Sequence, residues 1–174
     1  MFPLISWQTA LVLFILLLPF NLWLFPARTK RFKALSGVEK PIIDTWFGYT
    51  PEKVFGVIDA LKAEGRRQYA LSEVTLDLLY PLVYNGLLAV LLGLSAPAAF
   101  PGTWLATWLP RLPLMSLLAD YSENICIVIL LKGYPRQPAA LARLASAITV
   151  IKFCLIAAGF LGVVVSGIKW VLDR

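Results

Sequence analysis

Asp120, Glu123 and Asn124 interrupt the segment LPLMSLLADYSENICIVILLKG, residues 112–133, which is otherwise apolar and long enough to cross a bilayer. Ionisable groups at such a depth are costly to hold and by default mark a ligand, ion or proton site. Counted at about 1.5 Å per residue from Arg28, Arg67, Lys132 and Arg143, Asp77, Glu123 and Lys152 lie roughly 13–15 Å deep, Asp120 roughly 18 Å and Asn21 roughly 10 Å. The polar residues of four apolar segments thus converge on one level. A carboxylic acid kept neutral by low dielectric can protonate a double bond or donate a hydrogen bond, while an ionised neighbour stabilises developing positive charge. Asp120 and Glu123 are the expected working acids, Asp77 their electrostatic partner and Lys152 their counter-ion.

Helical periodicity sharpens this set. Glu73, Asp77, Tyr80 and Tyr84 follow at spacings of 4, 3 and 4 and form one stripe. Asp120, Glu123 and Asn124 share a face with Ser116 one turn away, and Thr149 shares a face with Lys152. Glu73, Tyr80, Tyr84, Asn124 and Lys152 are therefore expected to bind a ligand, the two tyrosines lining its pocket and facing a cation. Pro81 has no N–H for the carbonyl of Asp77, so an extra acceptor is expected beside that carboxylate.

Charge counting adds a constraint. Asp77, Asp120 and Glu123 face one deep cation, Lys152, and fully ionised they leave a net of −2. Protons, a cationic ligand group, or Arg66 and Arg67 reaching inward must compensate. The structural alternative is a polar network that glues helices together. With no histidine and no paired cysteines, haem, zinc, copper and Cys/His nucleophile chemistry lack their usual groups. There is no Walker motif and no dinucleotide fingerprint. Asp77, Asp120 and Glu123 form the one carboxylate set suited to magnesium or manganese, and the expectation is no metal and no cofactor.

The elements that must position these residues follow from composition. The chain has 174 residues, 59% of them hydrophobic, with the apolar residues in long runs. This predicts one all-α membrane domain over 1–174, a bundle of four transmembrane helices at about 4–25, 75–94, 112–131 and 145–171. The first segment starts neutral and ends in a basic cluster, which predicts a retained helix and not a cleaved signal.

Nine of the 16 Lys and Arg, from Arg28 to Arg67, lie between the first two spans, and Lys132, Arg136 and Arg143 lie between the last two. Only Arg111, Lys169 and Arg174 sit at the other end. The positive-inside rule then places both termini on the non-cytoplasmic side of a bacterial inner membrane or a eukaryotic endomembrane. The basic charge signals topology and contact with anionic lipid, and no nucleic-acid partner is expected. Trp7, Trp104, Trp108 and Trp170 fall at the outer span ends, where indoles prefer to sit. Cys126 and Cys154 read as small apolar filler.

The loop 28–70 carries a short interfacial amphipathic helix at about 51–64, with Thr50 as N-cap, Pro51 in its first turn, Val54, Phe55, Ile58 and Leu61 on one face, and Gly65 as its end. Gly159, Gly162 and Gly167 in the last span suit close contact with another helix, either a second copy or a membrane partner protein.

The four-span layout, the long loop after the first span and the motif EVTLDLLYPLVY, residues 73–84, resemble the sterol-isomerase and sigma-2-type four-helix membrane family. The resemblance implies a sterol-like or other lipid-like ligand. The chain lacks histidine, and no site residue is carried over. The expected function is binding of a hydrophobic lipid-, sterol- or isoprenoid-like molecule in an intramembrane acidic pocket, with acid–base chemistry on it. A small transporter or ion-conducting oligomer, and a non-catalytic subunit of a larger membrane complex, stay open.

Overall fold

A computed structural model describes residues 4–172, so Arg174 and the extreme termini lie outside the described residues. The chain is helical, with no strand among the described residues, and four helical rods are long and apolar enough to span a membrane: 7–36, 62–99, 104–133 and 139–170. This is the predicted all-α four-helix membrane bundle. Leu11, Leu118, Ile125 and Leu161 are among its outward apolar side chains, as expected of a surface solvated by lipid.

The first rod is α1 (Trp7–Pro19) and α2 (Phe25–Ser36), joined by a π-helical turn over Phe20–Leu24. Pro19 and Pro26 flank that turn and remove two N–H groups from the helical ladder. The extra residue in the turn shifts the following face by about 100°. Arg28 and Phe32 consequently point inward, whereas Asn21, within the turn, is exposed and donates to the Leu17 carbonyl at 2.9 Å. Gly37, at φ 69°, ends the rod with its N–H on the Lys33 carbonyl.

The amphipathic helix is α3 (Pro51–Ala60), capped as expected by Thr50, whose hydroxyl accepts from the Lys53 N–H. Gly65 does not end it. The chain turns at Lys62, at φ 54°, and Gly65 lies inside α4 (Lys62–Glu73), where Leu61 packs so closely that a Cβ would meet it at 3.1 Å. Val54, Phe55, Ile58 and Leu61 face Phe32, Ile43, Tyr69, Ile127 and Leu130 in a compact core beneath the basic end of the bundle. The apolar face of α3 is thus spent on the chain's own core.

The second rod continues as α5 (Leu76–Ala99), after a break where Thr75 leaves helical geometry and its hydroxyl donates to the Leu71 carbonyl. The third is α6 (Trp104–Trp108), a tight turn and α7 (Leu112–Gly133), and the fourth is α8 (Ala139–Leu172). The rods therefore run past the predicted spans, chiefly into the segment read as loop 28–70. α8 packs along α7 and α5, and α5 also carries α1. The tryptophans named above are exposed at span ends, and Arg111 lies over the Trp108 ring.

Two of the three glycines expected to meet a partner act within the chain. A Cβ at Gly159 would lie 2.5 Å from Leu88, and one at Gly162 would lie 3.1 Å from Leu92, while Gly167 is open. Gly159→Leu is expected to lower stability by about 1–3 kcal/mol by forcing α8 away from α5, measurable as a lower thermal midpoint in detergent. Gly167→Leu, with open space around it, should leave the midpoint unchanged.

Candidate functional site

Two cations organise the buried acids. Arg28, buried on α2, places Nη1 2.5 Å from both carboxylate oxygens of Asp77 and Nη2 3.2 Å from Asp44 and 3.7 Å from Glu73. The guanidinium is planar and carries several donors, so it can serve three carboxyl groups from a loop, α4 and α5 together. Tyr69 completes the group: its hydroxyl donates to Asp44 at 3.0 Å and accepts from the Ile43 N–H at 2.6 Å.

Lys152, buried on α8, organises the second group. Its Nζ lies 2.6 Å from Glu123 and 3.6 Å from Asp120, and donates to the Asp44 carbonyl at 3.3 Å. Thr149, one turn earlier, donates to Glu123 at 2.5 Å. Tyr84 donates to Asp120 at 2.6 Å. Just outside the spans, burial pushes the Tyr49 phenol above its ordinary range, with the neighbouring Thr149 hydroxyl acting in the opposite direction.

Asn124, beside Glu123 on α7, ties that helix to α5. Its Nδ2 donates at 2.8 Å to the carbonyl of Asp77, the acceptor that Pro81 leaves without an intrahelical N–H. The expected extra acceptor is therefore present and used. Asn124→Ala should orphan it and lower stability by about 1–3 kcal/mol. Adding Pro81→Ala restores an N–H and should recover most of that loss in a double-mutant thermal melt.

A cavity of about 470 Å³ adjoins both groups. Its polar floor is Arg28, Asp44, Asp77, Asp120 and Lys152. Its walls include Leu17 and Phe25 from the first rod, Tyr80 and Tyr84 from α5, and Phe153, Ile156 and Phe160 from α8. Phe160, Thr29 and Thr45 are exposed as well as lining it, so the cavity opens to the surface. Leu17 of α1 and Phe160 of α8 both line it, and these two helices do not pack extensively on each other. Toward the tryptophan-bearing end the interior is filled, with Leu88 on Gly159 and Leu92 and Leu109 on Gly162.

No family model, curated protein or solved structure matches the chain. The chemistry of the site therefore follows from its own residues.

Among the predicted residues, Asp77, Tyr80, Tyr84, Asp120 and Lys152 line the cavity. Glu73, Glu123 and Asn124 stand behind it and touch its floor through Arg28, Lys152 and the Asp77 backbone. Asn21 is not part of the buried site and meets it only at the edge, accepting from the Tyr80 hydroxyl at 3.3 Å. Arg66 and Arg67 do not reach inward: Arg66 donates to the Ile58 carbonyl, and Arg67 is exposed. The inward cation is Arg28, which had served as a boundary marker.

Asp44 was also missed, although the stretch KPIIDTW, with one acid among buried apolar residues, carried a signal for it. The three acids whose oxygens converge within 4.8 Å are Asp44, Glu73 and Asp77, not Asp77, Asp120 and Glu123. Arg28 contacts all three, so a cation is already supplied there. Five clustered acids, Asp44, Glu73, Asp77, Asp120 and Glu123, face two cations, Arg28 and Lys152; fully ionised this is 5 − 2, a net of −3. The deficit exceeds the expected −2 and calls for protons or a positively charged guest.

Proposed function

We propose that the protein binds an amphiphile inside the membrane, holding its apolar body between α1 and α8 and its basic or hydrogen-bond-donating end over Asp77 and Asp120. The observation that carries this reading is the cavity itself: apolar walls, a floor with more carboxyl groups than cations, and an opening to the surface beside the exposed Phe160 of α8. Apolar burial supplies affinity, while a few placed polar groups set orientation. The resemblance of residues 73–84 to the sterol-isomerase and sigma-2-type family favours a sterol- or isoprenoid-like body.

Acid–base chemistry on the bound molecule is the second reading, favoured by the short Tyr84–Asp120 contact at the cavity wall. A proton on Asp120 passes to a guest atom, and the resulting carboxylate is stabilised by Lys152 and the Tyr84 hydroxyl. A transport path finds less support, because Leu88, Leu92 and Leu109 fill the interior toward the opposite end. In this reading the basic end faces the cytoplasm and both termini lie on the other side.

The test compares dodecylamine with dodecanol as thermal-shift ligands for the purified protein. The ammonium should raise the midpoint of the wild type more than the alcohol does, and Asp120→Asn should erase the difference. Equal shifts from both probes in both proteins would refute the reading.

A further inference from the structure

A second cavity lies at the basic end and shares no lining residue with the first. About 720 Å³ in volume, it is lined by Arg31 of α2, Arg66 and Arg67 of α4, and Lys132 at the end of α7. Glu64 is the one acid in its lining, so the net charge is 4 − 1, or +3. Glu64 is engaged by the Gln68 side-chain amide at 2.6 Å. Among the described residues no carboxylate comes within 4 Å of Arg31, Arg67 or Lys132. Arg66 is held in place: it donates to the Ile58 carbonyl at 3.2 Å, and its guanidinium stacks 4.1 Å from the Tyr134 ring, whose hydroxyl donates to Asp59.

The floor of this cavity changes character along α4. Ala70 and Leu131 are buried beneath it, and Leu71 and Val74 are 60% and 51% exposed at its edge. Past the break at Thr75, Leu78 and Leu82 on α5 are exposed as well. A cationic recess at the ends of three spans thus runs directly into an apolar strip facing the lipid chains.

We infer that this recess is a binding site for an anionic phospholipid, its phosphate held among Arg31, Arg67 and Lys132 with Arg66 preset beside them, and one acyl chain lying along Leu71, Val74 and Leu78. Basic recesses between membrane helices suit such head groups. The exposed apolar residues in its lining favour a lipid over a free anion, because soluble phosphate gains nothing from Leu71 and Val74. An occupied site would tie α2, α4 and α7 together beneath α3 and brace the end of the bundle that holds Arg28.

Native mass spectrometry of the intact protein tests this with dioleoylphosphatidylglycerol, dioleoylphosphatidylcholine and inorganic phosphate as probes. The wild type should retain the glycerol lipid in preference to the choline lipid. The triple substitution Arg31→Gln, Arg67→Gln, Lys132→Gln should weaken that retention by about fivefold per cation, on the order of a hundredfold together. All three side chains are exposed, so folding should be intact, and an unchanged thermal midpoint in lipid-free detergent checks it. The triple Lys30→Gln, Lys40→Gln, Lys62→Gln removes equal charge from the same end and should retain the lipid. Equal weakening in both triples, or none in either, overturns the site. Displacement of the lipid by equimolar phosphate overturns its assignment to a lipid.

Discussion

Arg28→Ala is expected to destabilise the protein by about 3–5 kcal/mol, the loss that follows when one partner of a buried ionic network is removed and the other charges stay behind. Arg28 is 7% exposed and contacts Asp44, Glu73 and Asp77 at once, so its loss leaves three clustered carboxyl groups without a nearby guanidinium. These acids come from a loop and from α4 and α5 of the second rod, and their repulsion would act to push the loop at Asp44 away from that rod, while the first rod loses its ionic tie to both. Arg28→Lys should recover only part of the loss, because one ammonium cannot match the paired contacts to Asp77 and also reach Asp44. Asp77→Asn in the Arg28→Ala background should recover more, by removing charge from the orphaned cluster. Arg31→Ala, at an exposed position three residues on, should leave the thermal midpoint in lipid-free detergent unchanged. The account fails here if Arg28→Ala melts with the wild type.

Asp120→Asn is expected to weaken binding of a basic amphiphile by at least about tenfold while the fold persists, as befits loss of a desolvated charge placed to contact the guest. Asparagine keeps an oxygen for the Tyr84 hydroxyl and fills the same volume, so the network around it survives. It loses the charge that faces the cavity. Glu123→Gln should behave differently. Glu123 is fully enclosed, is held by Thr149 and Lys152, and does not line the cavity. Its substitution removes the closest partner of buried Lys152 and should lower stability by about 3–5 kcal/mol. Two neighbouring acids on α7 are thereby assigned separate duties, one toward the guest and one toward the scaffold. Melting curves and binding isotherms measured on the same two variants separate them.

Much of this bundle was legible because a bilayer leaves few options. Runs of about 20 apolar residues must close their own hydrogen bonds, so four helices followed directly. The deep acids, Lys152 and the freed carbonyl at Asp77 followed from periodicity and from the missing N–H of Pro81. The first rod was less legible. A regular helix continued from residue 7 does not anticipate the π turn between Pro19 and Pro26, which turns Arg28 in and leaves Asn21 out. A cation at the end of an apolar run ordinarily stays at the interface, so Arg28 was read as a boundary marker. Asp44 escaped for a similar reason: an acid in a loop is solvated by default, and only packing of Ile42, Ile43 and Trp46 carries this one to the cavity floor. Gly65 looked like a helix end, yet Leu61 needs its missing Cβ and the turn falls at Lys62. The glycines of α8 were recognised as sites of close approach, but periodicity cannot say whether the approaching helix belongs to the same chain.

The central claim is that an amphiphile sits between α1 and α8 with its polar end over Asp77 and Asp120. Its most direct test is native mass spectrometry of the protein purified gently from its own membrane, wild type beside Asp120→Asn. The account predicts one apolar small molecule per chain on the wild type and its loss from the folded variant. A folded wild type that carries no such molecule, or a variant that keeps it in full, contradicts the account.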